Sequence, residues 1–123
     1  MLDVMGSIKN LEWTTEHHFL HIQARHDFMR AVAVQFELAY SDFRVIQLAL
    51  QLDGQKDLLS KFTSQYNDIY KYEMAFVRGG MAEFDNQFEG QIDDYQKAEQ
   101  SLLETLKEIR QTQPEDDAGN KLI

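Results

Sequence analysis

Four histidines lie close together near the start of the chain, and their residue type and spacing are the first that could support chemistry. His17, His18, His21 and His26 fall within ten residues of one another. On a helix, His17 and His21 share one face, so their two imidazoles could chelate one metal ion. A structural zinc site needs four ligands, and a catalytic site needs three plus water, so a third ligand would have to come from another helix or another subunit. His17 and His21 are therefore the candidate metal ligands. The alternative is that they are ordinary surface or packed histidines.

Motifs that would indicate an enzyme are missing from the sequence. No Glu-x-x-His pair of the di-iron bundles occurs, and the zincin motif fails because His18 stands where its glutamate belongs. Glycine-rich phosphate loops, a Gly-x-Ser-x-Gly elbow and a calcium-binding loop are also missing. With no cysteine, thiolate chemistry and disulfides are excluded. We expect a protein that is not an enzyme and has no cofactor.

The run from Arg25 to Met29 is similar, over five residues, to the His-Asp step on the phosphoaccepting helices of histidine kinases. In those helices an exposed imidazole nitrogen attacks phosphorus, and the adjacent acid acts as a base. The residues that usually follow are replaced here by Arg30, Ala31 and Val32. The similarity does not identify a family, and phosphotransfer through His26 stays an alternative beside metal binding.

The charge balance restricts the possible partners. The chain has 123 residues, with 21 acidic against 12 basic side chains, and a net charge of −9. Nucleic acids and anionic membranes select basic surfaces, so neither is expected as a partner. No segment resembles a membrane span or a signal peptide, which favours a cytoplasmic protein. Eleven of the acids lie in residues 79–123; they form a solvated face, a surface for a basic partner, or a mimic of nucleic acid.

Hydrophobic periodicity indicates helices throughout, and we predict an all-α fold in one domain, residues 1–112. Apolar residues recur every seven positions in a row that includes Ile8, Ile22, Phe36 and Leu50, with no Pro or Gly inside it. This predicts one long helix over residues 7–53, closed by Gly54 as the left-handed C-terminal residue. Further helices are predicted over 56–78 and 80–112, separated at Gly79-Gly80, with a flexible acidic tail over 113–123.

A second row lies three positions after the first and reads Leu11, His18, Arg25, Val32, Ala39 and Ile46, so it includes the two polar residues His18 and Arg25. Such residues specify register or partner number, or else the row splays open there and leaves the first helix partly solvated. Both interpretations remain open from the sequence.

A helix of about 46 residues would be about 69 Å long, which a globular remainder of this size cannot cover. It must bend near Ser41-Asp42, or the chain must form an elongated antiparallel hairpin or a three-helix bundle completed by oligomerisation. We therefore predict a non-enzymatic protein-interaction module (an adaptor, chaperone or assembly subunit) that binds itself, most simply as a dimer, and a partner helix. The residues predicted to carry the interaction are Met29, Val32, Phe36, Phe43, Ile46, Leu50, Tyr66 and Tyr70.

Overall fold

The computed structural model describes residues 3–27 and 29–113, and for Met29 the backbone alone. It contains four helices: α1 Met5–Gln23, α2 Met29–Leu52, α3 Lys56–Phe88 and α4 Ile92–Gln111. The all-α prediction is confirmed. Of the predicted tail, residues 114–123 lie outside the described residues. Gln113 is buried, and its Oε1 accepts a hydrogen bond from the Val4 amide at 2.6 Å.

The prediction of one unbroken helix over residues 7–53 is wrong, because α1 ends at Gln23. The Arg25 amide donates to the Ile22 carbonyl, and the His26 amide donates to the His21 carbonyl five residues back. These two bonds form a Schellman motif, which requires a left-handed residue at its centre. Arg25 takes that conformation, with φ of 60°. Since glycine normally fills this position, the sequence carries no breaker at the point where the helix ends.

The same motif closes α2, and there the prediction is confirmed. The Gly54 amide donates to the Gln51 carbonyl, and the Gln55 amide donates to the Leu50 carbonyl. Gly54 is left-handed, with φ of 72°. Two helices thus end with one hydrogen-bond pattern, one built on glycine and the other on arginine.

The predicted boundary at Gly79-Gly80 is a kink inside α3 rather than the end of a helix. Gly80 has φ of 67° and ψ of −153°, so helical geometry is interrupted there. At this interruption the Met81 amide donates a hydrogen bond to Asp27 Oδ1 at 3.1 Å. The predicted helix over 80–112 is in turn divided near Gly90, which has φ of 78° between α3 and α4.

The four helices pack as a bundle in which consecutive helices run antiparallel. The N-terminal part of α1 meets the end of α4 through Val4 and Gln113, and the start of α3 meets the end of α4 through Lys61 and Glu108. Contacts of α1 with α2 and α4, and of α3 with α2 and α4, close a ring. This corrects the hairpin and three-helix alternatives: the predicted long helix is two antiparallel helices, and no bend occurs at Ser41-Asp42.

The apolar rows predicted from the sequence form the interior of this bundle. All but one of the largest fully buried side chains are aliphatic or phenylalanine residues, the exception being Tyr95. The interior includes Ile8, Leu11, Ile22, Ile46, Leu50, Phe62, Ile69, Phe76, Leu102, Leu106 and Ile109. Helix α1 buries Ile8, Leu11, Phe19 and Ile22, so the second row does not splay open there: His18 is buried, and Arg25 is exposed.

Replacing Arg25 tests the strained helix end. Arg25→Gly and Arg25→Ala both remove the exposed ion pair with Asp85, whose two N–O distances are 3.1 and 2.5 Å. The glycine variant also relieves the left-handed conformation, which costs a non-glycine residue about 1 kcal/mol. We expect Arg25→Gly to be more stable than Arg25→Ala by about that amount in urea denaturation. Equal midpoints would contradict the role assigned to φ at residue 25.

Candidate functional site

The two predicted metal ligands lie side by side on α1. His17 Nε2 and His21 Nε2 are 3.1 Å apart, and His21 Nδ1 lies 3.0 Å from His26 Nδ1. Trp13 stacks on His17 with ring centroids 4.3 Å apart. Desolvation, followed by the charges of the neighbouring histidines, lowers the pKa of His21, which keeps its ring neutral at pH 7. A neutral imidazole is the form that ligates metals.

The histidine row supplies two ligands rather than a complete site. His21 uses opposite ring nitrogens toward His17 and His26, so the three rings do not converge on one point. Over residues 3–27 and 29–113, no group of three or more potential ligands is arranged to hold a metal ion. The prediction that His17 and His21 bind metal stays a prediction.

The His26-Asp27 step also has a structural explanation. His26 belongs to the Schellman motif at the end of α1, and Asp27 accepts the Met81 amide at the α3 kink. Both residues are therefore used in joining the α1–α2 connection to its surroundings. This gives the pair a role that is independent of phosphotransfer.

A polar site that the sequence analysis missed lies at the centre of the bundle. His18 is fully buried; its Nδ1 contacts Glu73 Oε1 on α3, and its Nε2 lies 2.9 Å from Gln35 Oε1 on α2. Burial alone lowers the pKa of His18, but the hydrogen bond to Glu73, the Glu73 charge and the bond to Gln35 together raise it above 6.5. Both ring nitrogens face oxygen atoms, so the protonated imidazole can donate to Glu73 and to Gln35 at the same time.

Two further polar groups lie in the same core, on α4. Burial raises the pKa of Glu99 to about 7, and the nearby charge of Glu16 adds to the shift. The hydroxyl of Tyr95 is buried without a hydrogen-bond partner, and its ring stacks on Tyr72 at 4.7 Å. Glu99 belongs to the acidic last third that the sequence predicted as a surface, so this carboxyl is placed differently from its neighbours.

Most of the residues predicted to bind a partner lie inside the chain's own bundle. Tyr70 is partly buried, and Met29 has no described side chain. The others are buried against helices of the same chain: Val32, Phe36, Phe43, Ile46, Leu50 and Tyr66. Phe43, for example, stacks on Tyr66 with centroids 4.0 Å apart. These side chains form core contacts, so a partner surface on α2 must use its other side.

That other side of α2 carries an exposed apolar row, which we call the outer row: Ala31, Val34, Leu38, Ser41, Val45, Leu48 and Leu52. Successive members are three or four residues apart, the spacing that keeps one face along a coiled-coil helix. The five large members keep between 46% (Val45) and 68% (Leu52) of their surface exposed. Exposed apolar side chains aligned in this way make the outer row a candidate surface for protein contact. The sequence does contain a signal for the outer row, because its residues form a second heptad repeat between the buried positions of the same helix.

Only part of the acidic last third is exposed, since Glu83 and Asp85 are half-buried and Glu99 is buried. Glu89, Asp93, Asp94 and Lys97 are all exposed. Asp93 and Asp94 lie in the first turn of α4, where negative charge interacts favourably with the helix dipole. Part of the charge therefore supports the helix start, whether or not it also attracts a basic partner.

Comparison with known proteins adds no assignment: no protein family, curated protein or solved structure matches the chain. In the part of the chain that the structure describes, no helix is long and apolar enough to cross a membrane. The function must therefore be inferred from the surfaces and buried groups described above.

Removing one histidine tests the metal prediction. With two ligands in place and no third among residues 3–27 and 29–113, we expect no zinc or nickel to copurify with untagged protein, and the same melting temperature with and without a chelator. His21→Ala should then change neither result, and His26→Ala serves as the matched control. Melting that is sensitive to chelator in the wild type but not in His21→Ala would instead establish a metal site.

The pH dependence of stability tests the buried groups. Glu99 has a folded-state pKa of about 7 against an ordinary value of 4.5, so the folded state binds more protons between those values. Its contribution to stability therefore falls as the pH rises from 4.5 to 7. His18, with its pKa raised above 6.5, contributes fully below 6.5 and loses its contribution as the pH rises through the folded-state value. Both groups make the protein less stable at pH 8 than at pH 5.

Glu99→Gln should remove the part of this slope that lies between pH 4.5 and 7 and raise stability at pH 8. Glu104→Gln, an exposed carboxyl on the same helix, is the matched control and should keep the wild-type profile. Urea denaturation at pH 5, 6, 7 and 8 measures the effect. Parallel profiles for the wild type and Glu99→Gln would contradict the burial assigned to this carboxyl.

Proposed function

We propose that this protein is a non-enzymatic, self-associating helical module that binds a second copy of itself through the outer row of α2. The single observation that supports the proposal most directly is the exposure of five large aliphatic side chains at heptad spacing on one helix. An isolated domain gains nothing from this arrangement, since each exposed Leu or Val leaves apolar surface in water.

The two faces of α2 support the proposal together. The inner row contains Val32, Phe36, Ala39, Phe43, Ile46 and Leu50 and is buried within the chain. The outer row has the same three-four spacing on the opposite side, over a helix of 24 residues that is about 36 Å long. A helix with apolar rows on both sides is typical of the middle of an assembly, with its own bundle on one side and another helix on the other.

A second copy is favoured over an unrelated partner because the outer row is suited to pairing with itself. Leucine and valine predominate, and the one polar member, Ser41, is small. Two-fold pairing of identical faces is the commonest way in which soluble proteins associate. The acidic surface of α4 remains available to a further, basic partner as a second interaction.

Placing a charge in the outer row tests the proposal. Leu38→Glu should shift the protein from dimer to monomer at concentrations in the tens of micromolar, raising the dissociation constant at least tenfold. The melting temperature of the isolated chain should change little, because 62% of Leu38 is already exposed. Light scattering over a dilution series measures the mass, beside a melting curve at low concentration.

Leu20→Glu is the matched control, since Leu20 is an exposed leucine on α1 with a similar exposed fraction of 51%. It should keep the wild-type mass. A wild-type protein that is monomeric at high micromolar concentration would refute self-association. Loss of the dimer in Leu20→Glu but not in Leu38→Glu would place the interface elsewhere.

A further inference from the structure

The charges that flank the outer row determine how two copies would be oriented. Along one edge of the row lie Arg30, Glu37, Arg44 and Gln51, each seven residues from the next. The other edge, with Gln35, Asp42 and Ala49, adjoins the chain's own bundle: Gln35 contacts His18, Asp42 is hydrogen-bonded to Ser7 and Asn10, and Ala49 is buried. Glu37 and Arg44 are both exposed. In paired helices, the residues at these edges select partner and orientation.

We infer that the second copy docks on α2 in the antiparallel direction, with Glu37 of each copy opposite Arg44 of the other. This inference rests on the proposed function and names the geometry of its interface. In the antiparallel register that sets Val34 opposite Val45 of the second copy, Leu38 faces Ser41 and Ala31 faces Leu48. The same register brings Glu37 level with Arg44, and two-fold symmetry forms that pair twice.

The parallel arrangement forms no attractive charge pair. Parallel helices bring one edge of a row against the other edge in the partner, so Glu37 would face the edge that holds Asp42, whose carboxyl is hydrogen-bonded to Ser7 and Asn10 on α1 of its own chain. Arg30 would meet Gln35, and Arg44 would meet Ala49, both of which are uncharged. The antiparallel register has two attractive pairs and brings no like charges together, and this contrast selects it.

The shape of the row favours the same arrangement. Ser41 lies near the middle of the outer row, and in the antiparallel register it receives Leu38 of the second copy. The two-fold axis then passes between these residues, where the small serine leaves room for both leucines. Outward from the axis, aliphatic residues face aliphatic residues, as expected for the core of an interface.

The cysteine-free chain allows a direct test by cross-linking. Val34→Cys and Val45→Cys are made separately, one with an added tag to distinguish their masses, then mixed and oxidised. Antiparallel docking predicts a mixed disulfide between the two variants. It predicts little cross-linking of Val34→Cys with itself, because those positions lie about 16 Å apart along the axis and a disulfide needs Cα atoms within about 7 Å. Leu20→Cys is the control and should not cross-link.

Charge exchange provides the second measurement. Glu37→Arg and Arg44→Glu should each raise the dissociation constant of the dimer about tenfold, and the double variant should return it to within about threefold of wild type. The single variants leave the apolar row intact, so their effect is separate from that of Leu38→Glu.

The outcomes separate the orientation from the proposed function. Self-cross-linking of Val34→Cys, or tighter association of Glu37→Arg, would overturn the antiparallel inference while leaving the dimer in place. A dimer by light scattering that forms no cross-link at residues 34 or 45 would overturn the inference and also the assignment of the interface to the outer row, while self-association itself would stand. A monomeric wild type would overturn the proposed function itself.

Discussion

The contact of His18 with Glu73 is the interaction on which the rest of the bundle depends. It joins α1 to α3 across the interior, and the other ring nitrogen of His18 joins α2 through Gln35. Removing one partner of such a buried pair leaves an uncompensated charge, which typically lowers the stability of the fold by about 3–5 kcal/mol. Aliphatic packing alone tolerates small changes of register along a heptad. The contact of His18 with Glu73 and Gln35 does not tolerate such changes, because rotating α1 about its axis would separate both ring nitrogens from their acceptors. We therefore see the buried histidine as the group that fixes how three helices are aligned.

The periodic part of this fold was predictable, and its breaks were predictable only in part. The rows through Ile8, Ile22, Phe36 and Leu50 are buried as their spacing indicates, and Gly54 closes α2 as expected. The end of α1 was not predictable, because the left-handed position is occupied by Arg25, a residue with good helix propensity. The heptad also continues in phase across residues 24–28, so the pattern alone cannot separate one long helix from two antiparallel helices.

The candidate sites show a second limit of sequence patterns. Burial of Phe36 and Phe43 follows from their spacing, but spacing does not say whether the covering surface belongs to the same chain or to another copy. The division of α2 into an inner and an outer row depends on how many helices the chain supplies, and that number was set by the unpredicted break. Likewise, the histidine at position 18 and the carboxyl at position 73 are 55 residues apart, and no local signal connects them.

The contact between the two ends of the described chain has a consequence for connectivity. The Val4 amide and the Gln113 side chain are joined by a hydrogen bond, and α1 packs along α4, so the helices form a closed ring. In such a ring, several different orders of connecting the helices would preserve the same contacts between them. A circular permutant that joins these ends by a short linker and opens the chain at Gly54 would keep the neighbours of all four helices. The architecture is thus determined by the helix faces and by the buried histidine contact rather than by where in the ring of helices the chain termini lie.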